Sequence, residues 1–168
     1  APAVSGDANY SGLDPADVSV TNTDDETAGV TVGPITGDTT EAGGQATFQV
    51  KLNSEPVDDV AFNVSSQDKS EGTVSSTSLT FTSGNWNANQ TVTVTGVADA
   101  VVDCIQGSLL ALAPAYSDDG NYSGLDPADV SVTNTDDDSA GVTVGPISGD
   151  TTEAGGQATF QVKLNSEP

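Results

Sequence analysis

The stretch SLTFTSGNWNANQTVTVTGV, residues 78–97, decides the fold. Leu79 and Phe81 alternate with Ser78, Thr80 and Thr82; Val92 and Val94 alternate with Thr91, Thr93 and Thr95. A period of two is that of a strand with one buried face, and Val and Thr suit its pleated surface. Ser, Gly and Asn between the two runs are turn formers. The segment reads as strand, turn, strand. Trp86 follows a strand among those turn formers, where it reads as a plug over one end of the structure rather than as a platform for stacking sugars.

Outward from this segment the same alternation recurs in ATFQVKL (46–52), VAFNV (60–64) and DVSVTNT (129–135). No stretch shows the three-and-four apolar spacing of a helix. The chain therefore reads as all-β. Seven strands are expected, near 29–35, 46–53, 58–65, 78–82, 90–97, 106–113 and 129–135. Phe48, Val50, Phe62, Leu79, Phe81, Val92, Val94, Leu110 and Val130 are the expected core.

Charge narrows the function. Lys and Arg number 3 against 25 Asp and Glu, a formal net charge of −22, and His is absent. Neutralising phosphates needs Lys and Arg, so nucleic acid is excluded as a partner. Membrane insertion is not expected either, since no run of about 18 apolar residues occurs. Without His the Ser-His triad cannot form, and no aromatic-rich cleft accompanies the paired acids, so no enzymatic activity is expected. Cys104 is the single cysteine, which rules out a disulfide within the chain. It reads as a small buried hydrophobe, with a cross-link between chains as the alternative.

Residues 1–56 match residues 113–168 at an offset of 112, with 50 of 56 positions identical. That period is too long for a solenoid and fits a β-sandwich domain of about 100 residues. The acidic runs Asp24-Asp25-Glu26 and Asp136-Asp137-Asp138 each close a strand-like run and mark the frame. Residues 28–138 are then one complete repeat, 1–27 the C-terminal part of a preceding repeat, and 139–168 the N-terminal part of a following one. The tail segment is expected to carry a last strand.

The ordering TTEAGGQATFQVKL, then SLTFTSGNWNANQTVTVTGVADAVVD, then YSGLDPADVSVTNTDDD resembles the Calx-beta domain family, in the tandem form of large bacterial surface proteins. The resemblance covers essentially the whole period. It implies a seven-stranded antiparallel, Ig-like β-sandwich in a tandem array, with Ca²⁺ held by loops at one end beside the next domain. By position it implies Glu41 as an early acidic ligand and Glu153 as its counterpart in the following repeat. Asp99 and Asp103 match acids in the loop after VTVTGV. Asp136, Asp137 and Asp138 match the closing run, and Asp24, Asp25 and Glu26 match it one period earlier. Asp68 or Glu71 matches a further acid. Ala98 stands where the family often has Asp, and Cys104-Ile105 where bacterial copies often read Gly-Asp.

The residues themselves admit two readings of the acids. They are solvated linkers that keep the array soluble, or they are ligands for a hard cation, since neither His nor a Cys pair is present for zinc. The leading functional expectation is a structural repeat of an extracellular stalk or fibre on a bacterial cell surface, rigidified by calcium at its junctions. Its partners would be neighbouring repeats or other copies of itself. A self-assembling filament subunit completed by strands of neighbouring chains, and a calcium-dependent adhesin module, are the alternatives.

Overall fold

A computed structural model describes residues 1–168. The chain is all-β, with eleven strands and no helix; none of it is a helix long and apolar enough to cross a membrane. The strands are β1 (Val30–Val32), β2 (Thr39–Thr40), β3 (Gln45–Leu52), β4 (Val60–Ser66), β5 (Gly72–Val74), β6 (Ser78–Phe81), β7 (Gln90–Gly96), β8 (Gln106–Leu112), β9 (Val130–Thr135), β10 (Val142–Val144) and β11 (Val162–Leu164).

Nine of them form two sheets. One has the order β1-β3-β7-β5, the other β2-β9-β8-β4-β6. The alternation read from sequence sets their faces: Ala46, Phe48, Val50 and Leu52 of β3 point into the core, as do Val92 and Val94 of β7. Phe48 lies opposite Val92 in the antiparallel register. From the second sheet come Phe62, Phe81, Leu110 and Val132, with the Phe62 and Phe81 rings edge-to-face at 6.2 Å. All nine expected core residues are buried. Each large apolar side chain so enclosed is worth about 1.5–3 kcal/mol. Trp86 is half-buried and packs against this core, and its carbonyl accepts from the Leu52 N–H.

Three expectations need correction. The seven expected runs all contain strands, but β2 and β5 are additional. At two and three residues they are too short to show a period, and Gly72 and the threonines of β2 look like loop in the sequence. The pairing is also not wholly antiparallel, because β2 runs parallel to β9, with Thr39 opposite Asn134 and Thr40 opposite Thr135. The tail 1–27, finally, holds no strand. Its Val18 and Val20 are 95 and 93 % exposed, although the matching DVSVTNT at 129–135 forms β9. That strand exists because β8 lies beside it; within this sequence the tail has no such neighbour. The head segment 139–168 forms only the ribbon β10–β11, with Val142 opposite Leu164.

Candidate metal centre

The parallel pair assembles the acidic end. Because Thr40 lies opposite Thr135, the residues that follow, Glu41 and Asp136, leave the sheet side by side, and the Glu41 N–H donates to the Thr135 carbonyl. β7 ends at this end with Gly96, opposite Gly72 of β5, so Glu71 arrives there too. β8 starts there with Gln106 opposite Asn134, which brings the preceding loop with Asp99 and Asp103.

Two groups of carboxylates result: Glu41 with Asp137 and Asp138, and Glu71 with Asp99 and Asp103. Within each group a carboxylate oxygen from every member lies within 4.8 Å of the others. No lysine or arginine answers them; the one ion pair in the chain joins the N-terminus to Asp14. Glu41 is only 4 % exposed, and its Oε2 has no hydrogen-bond partner. Asp103 Oδ1 is likewise buried and unpartnered. A buried unpartnered carboxylate oxygen is costly.

The titration of the site follows from this. Burial pushes the Glu41 carboxyl above its ordinary range; the Asp137 backbone N–H offsets this in part, and the charges of Asp136, Asp99 and Asp103 add to it. Burial and then Asp136, Asp137 and Asp99 raise Asp138 in the same way. Asp136 goes the other way, held low by N–H donors from Asp138, Cys104 and Asp103 against the effect of burial. Its Oδ1 accepts from the Asp138 N–H at 2.7 Å, and its Oδ2 from Asp103 and Cys104 at 3.1 and 3.0 Å. Cys104 has φ of 70°, the left-handed region that favours glycine. This turn aims two successive N–H groups at one oxygen, a small anion nest. Asp136 is thus the clip that fastens the 99–105 loop, while Glu41 and Asp138 retain open acceptor capacity.

The expected site residues therefore divide. Glu41, Asp99, Asp103, Asp136, Asp137 and Asp138 come together. Asp24, Asp25 and Glu26 do not join them: all three are exposed, and Asp24 and Glu26 line a cavity with Ser54 and Trp86, at the far end of β3. Glu153 is exposed on the head segment and belongs to neither group. Both departures have the same cause, since an acidic run needs the surrounding loops of its own repeat to become a cluster. Between Asp68 and Glu71 the structure selects Glu71, which is buried. Asp68 instead caps its own turn, accepting from the Ser70 N–H and hydroxyl, and these bonds hold its carboxyl low. Cys104 is exposed, contrary to the expected burial, because the left-handed turn at its own position belongs to an exposed loop.

Asn134 went unread in the sequence. It is 2 % exposed and ties Glu71 of the second group to β2 from its place on β9. Its amide donates to Glu71 Oε2 and the Val97 carbonyl, and its oxygen accepts from the Thr39 hydroxyl. Gly96 lies directly beneath; a Cβ there would strike the Thr40 carbonyl and Asn134 Oδ1. An Asn just before an acidic run on an alternating strand was the available signal.

No protein-family model matches the chain, and no curated protein matches it.

The donor set fits a hard divalent cation. It consists of oxygen only, comes from four separate chain segments, and includes buried acceptors with nothing to accept from. Calcium takes six to eight such oxygens, and carboxylates are its usual protein ligands. Glu41, Asp137 and Asp138 would hold one ion, and Glu71, Asp99 and Asp103 a second.

Proposed function

We infer that this chain is a structural repeat module whose acidic end binds calcium and stiffens the junction to the next repeat. The observation that carries the reading is Glu41, buried and unpartnered at Oε2 among carboxylates with no cation of the chain nearby. The two-sheet sandwich and the 112-residue sequence repeat support an Ig-like, Calx-beta-type domain spanning 28–138 in a tandem array, with parts of neighbouring repeats at 1–27 and 139–168. The closing acids stand immediately before the head segment. An ion bound to Asp137 and Asp138 would fix the first residues of the link and so restrict the angles it can sample. Such a role belongs outside the cell, where millimolar calcium matches the affinity of about 10⁻⁴–10⁻³ M of extracellular modules. Neighbouring repeats, of this chain or of other copies, are the partners this role implies.

Thermal melting in calcium and in chelator tests the reading. At a hundredfold excess over Kd a ligand of the native state adds about 2.7 kcal/mol. The melting temperature should rise in calcium, and Glu41→Gln should remove the rise from its own group. Identical melting in both conditions would show that the acids are only a solvated surface.

A further inference from the structure

A cavity of about 640 Å³ opens at the end of the sandwich opposite the acidic groups. Its walls include Asp24, Thr27, Glu55, Trp86 and Asn121. Two of these have counterparts at the other junction. By the 112-residue offset Asp24 corresponds to Asp136 and Glu55 to Glu167. Asp136 and Glu167 both hold the 99–105 loop: Asp136 accepts from the Asp103 and Cys104 N–H groups, and the Glu167 N–H donates to the Ala100 carbonyl beside a parallel bridge from Val101 to Glu167. At the C-terminal junction the two positions thus grip a loop. At the N-terminal junction the same two positions face a cavity.

We propose that this cavity is the seat of an Asp99–Cys104-type loop carried by another repeat of this kind. The occupant is a short segment with valines at its tip. In this chain Val101 and Val102 are 37 and 40 % exposed on that loop, and the half-buried face of Trp86 supplies apolar surface for them. Asp24 has no hydrogen bond across the cavity; its one acceptor bond is local, from the Glu26 N–H. It is therefore free to take the two loop N–H groups that Asp136 takes. Each repeat then presents a plug at its acidic end and, together with the closing acids of the repeat before it, a socket at its Trp86 end, and successive repeats lock by plug and socket independently of any ion. The inference rests on the array reading but not on calcium.

The test uses the full chain and a peptide of residues 97–105, VADAVVDCI. Both partners are acidic, so binding is measured in about 1 M salt, where the Debye length is about 3 Å. Trp86 is the only tryptophan, and the peptide has none. Its emission should shift to the blue with the peptide and stay unchanged with a scrambled one. Covalent trapping supplies a second readout in the Cys104→Ser background. Glu55→Cys should form a disulfide with the thiol of a V101C, C104S form of the peptide, under dioxygen as oxidant, several-fold faster than Ser131→Cys on the exposed sheet face, because Glu167, the counterpart of Glu55, lies against Val101. Equal trapping at the two positions, or the same emission change with the scrambled peptide, would overturn the proposal. A chain that is stabilised by calcium yet ignores the peptide would overturn the socket and leave the metal reading intact.

Discussion

Replacing Tyr122 by phenylalanine removes one oxygen and three hydrogen bonds. The Tyr122 hydroxyl donates to the Ser54 carbonyl at 2.7 Å, accepts from the Ser54 N–H at 3.1 Å, and lies 2.8 Å from the Ser54 hydroxyl. Tyr122 is 1 % and Ser54 9 % exposed, so solvent reaches the lost partner's place only from the cavity at the Trp86 end, whose wall the two residues share. Two main-chain groups of Ser54 are left unsatisfied, each costing about 1–3 kcal/mol. Tyr122→Phe is therefore expected to cost about 2–6 kcal/mol, or roughly 8–30 °C of melting temperature for a unit of this size. Urea unfolding followed by Trp86 fluorescence measures it; the midpoint should fall with the slope unchanged. Ser54→Ala removes only the hydroxyl, so a double-mutant cycle should return a coupling of about 1 kcal/mol and leave most of the Tyr122→Phe loss in place. A loss below about 0.5 kcal/mol would refute the reasoning, because it would show that the Ser54 main chain finds other partners.

Other outcomes follow from the acidic end. Gly96→Ala would drive a methyl group into the Thr40 carbonyl and Asn134, and is expected to cost about 1–3 kcal/mol on chemical denaturation. Asn134→Asp removes the donor to Glu71 and adds a buried like charge, so it should cost about 3–5 kcal/mol in chelator and much less in calcium, measured by melting in each. In chelator, the raised carboxyls of Glu41 and Asp138 contribute stability that is present below their unfolded values and lost as pH rises through the folded ones. Asp136, held low, loses its contribution only in more acid solution. The melting temperature in chelator should thus rise as the pH falls from neutrality toward the ordinary carboxylate range, whereas in calcium it should fall, as protons compete for the ligands.

The sandwich was legible because its signal is local. Phe48, Val92 and Leu110 sit in alternating runs long enough to show a period, and each faces the core. The parallel contact of β2 with β9 was illegible for the opposite reason: it joins two threonines to residues 95 positions away and leaves no period behind. The acidic cluster was partly legible. Its members could be named from runs and spacing, but which acids meet depends on which strands end together. That separates Asp136 from its near-identical counterpart Asp24. Asn134 and Glu71 meet in a layer beneath the carboxylates; the acidic run after Asn134 was its only local mark, and the sequence left Glu71 level with Asp68.

The parallel pair also decides how the unit bears load. The chain enters near Trp86 and leaves at Asp136, so a pull along the molecule runs lengthwise through the strands. Thr39 and Thr40 lie beside Asn134 and Thr135, with the Thr39 side chain adding bonds to the Thr133 carbonyl and Asn134. Drawn lengthwise, these bonds are strained together in shear and do not peel one after another. The clasp closes an early stretch of the folded unit onto its last strand, so tension that has passed the β1–β3 pair must slide it open before the sheet of β2, β9, β8, β4 and β6 unravels.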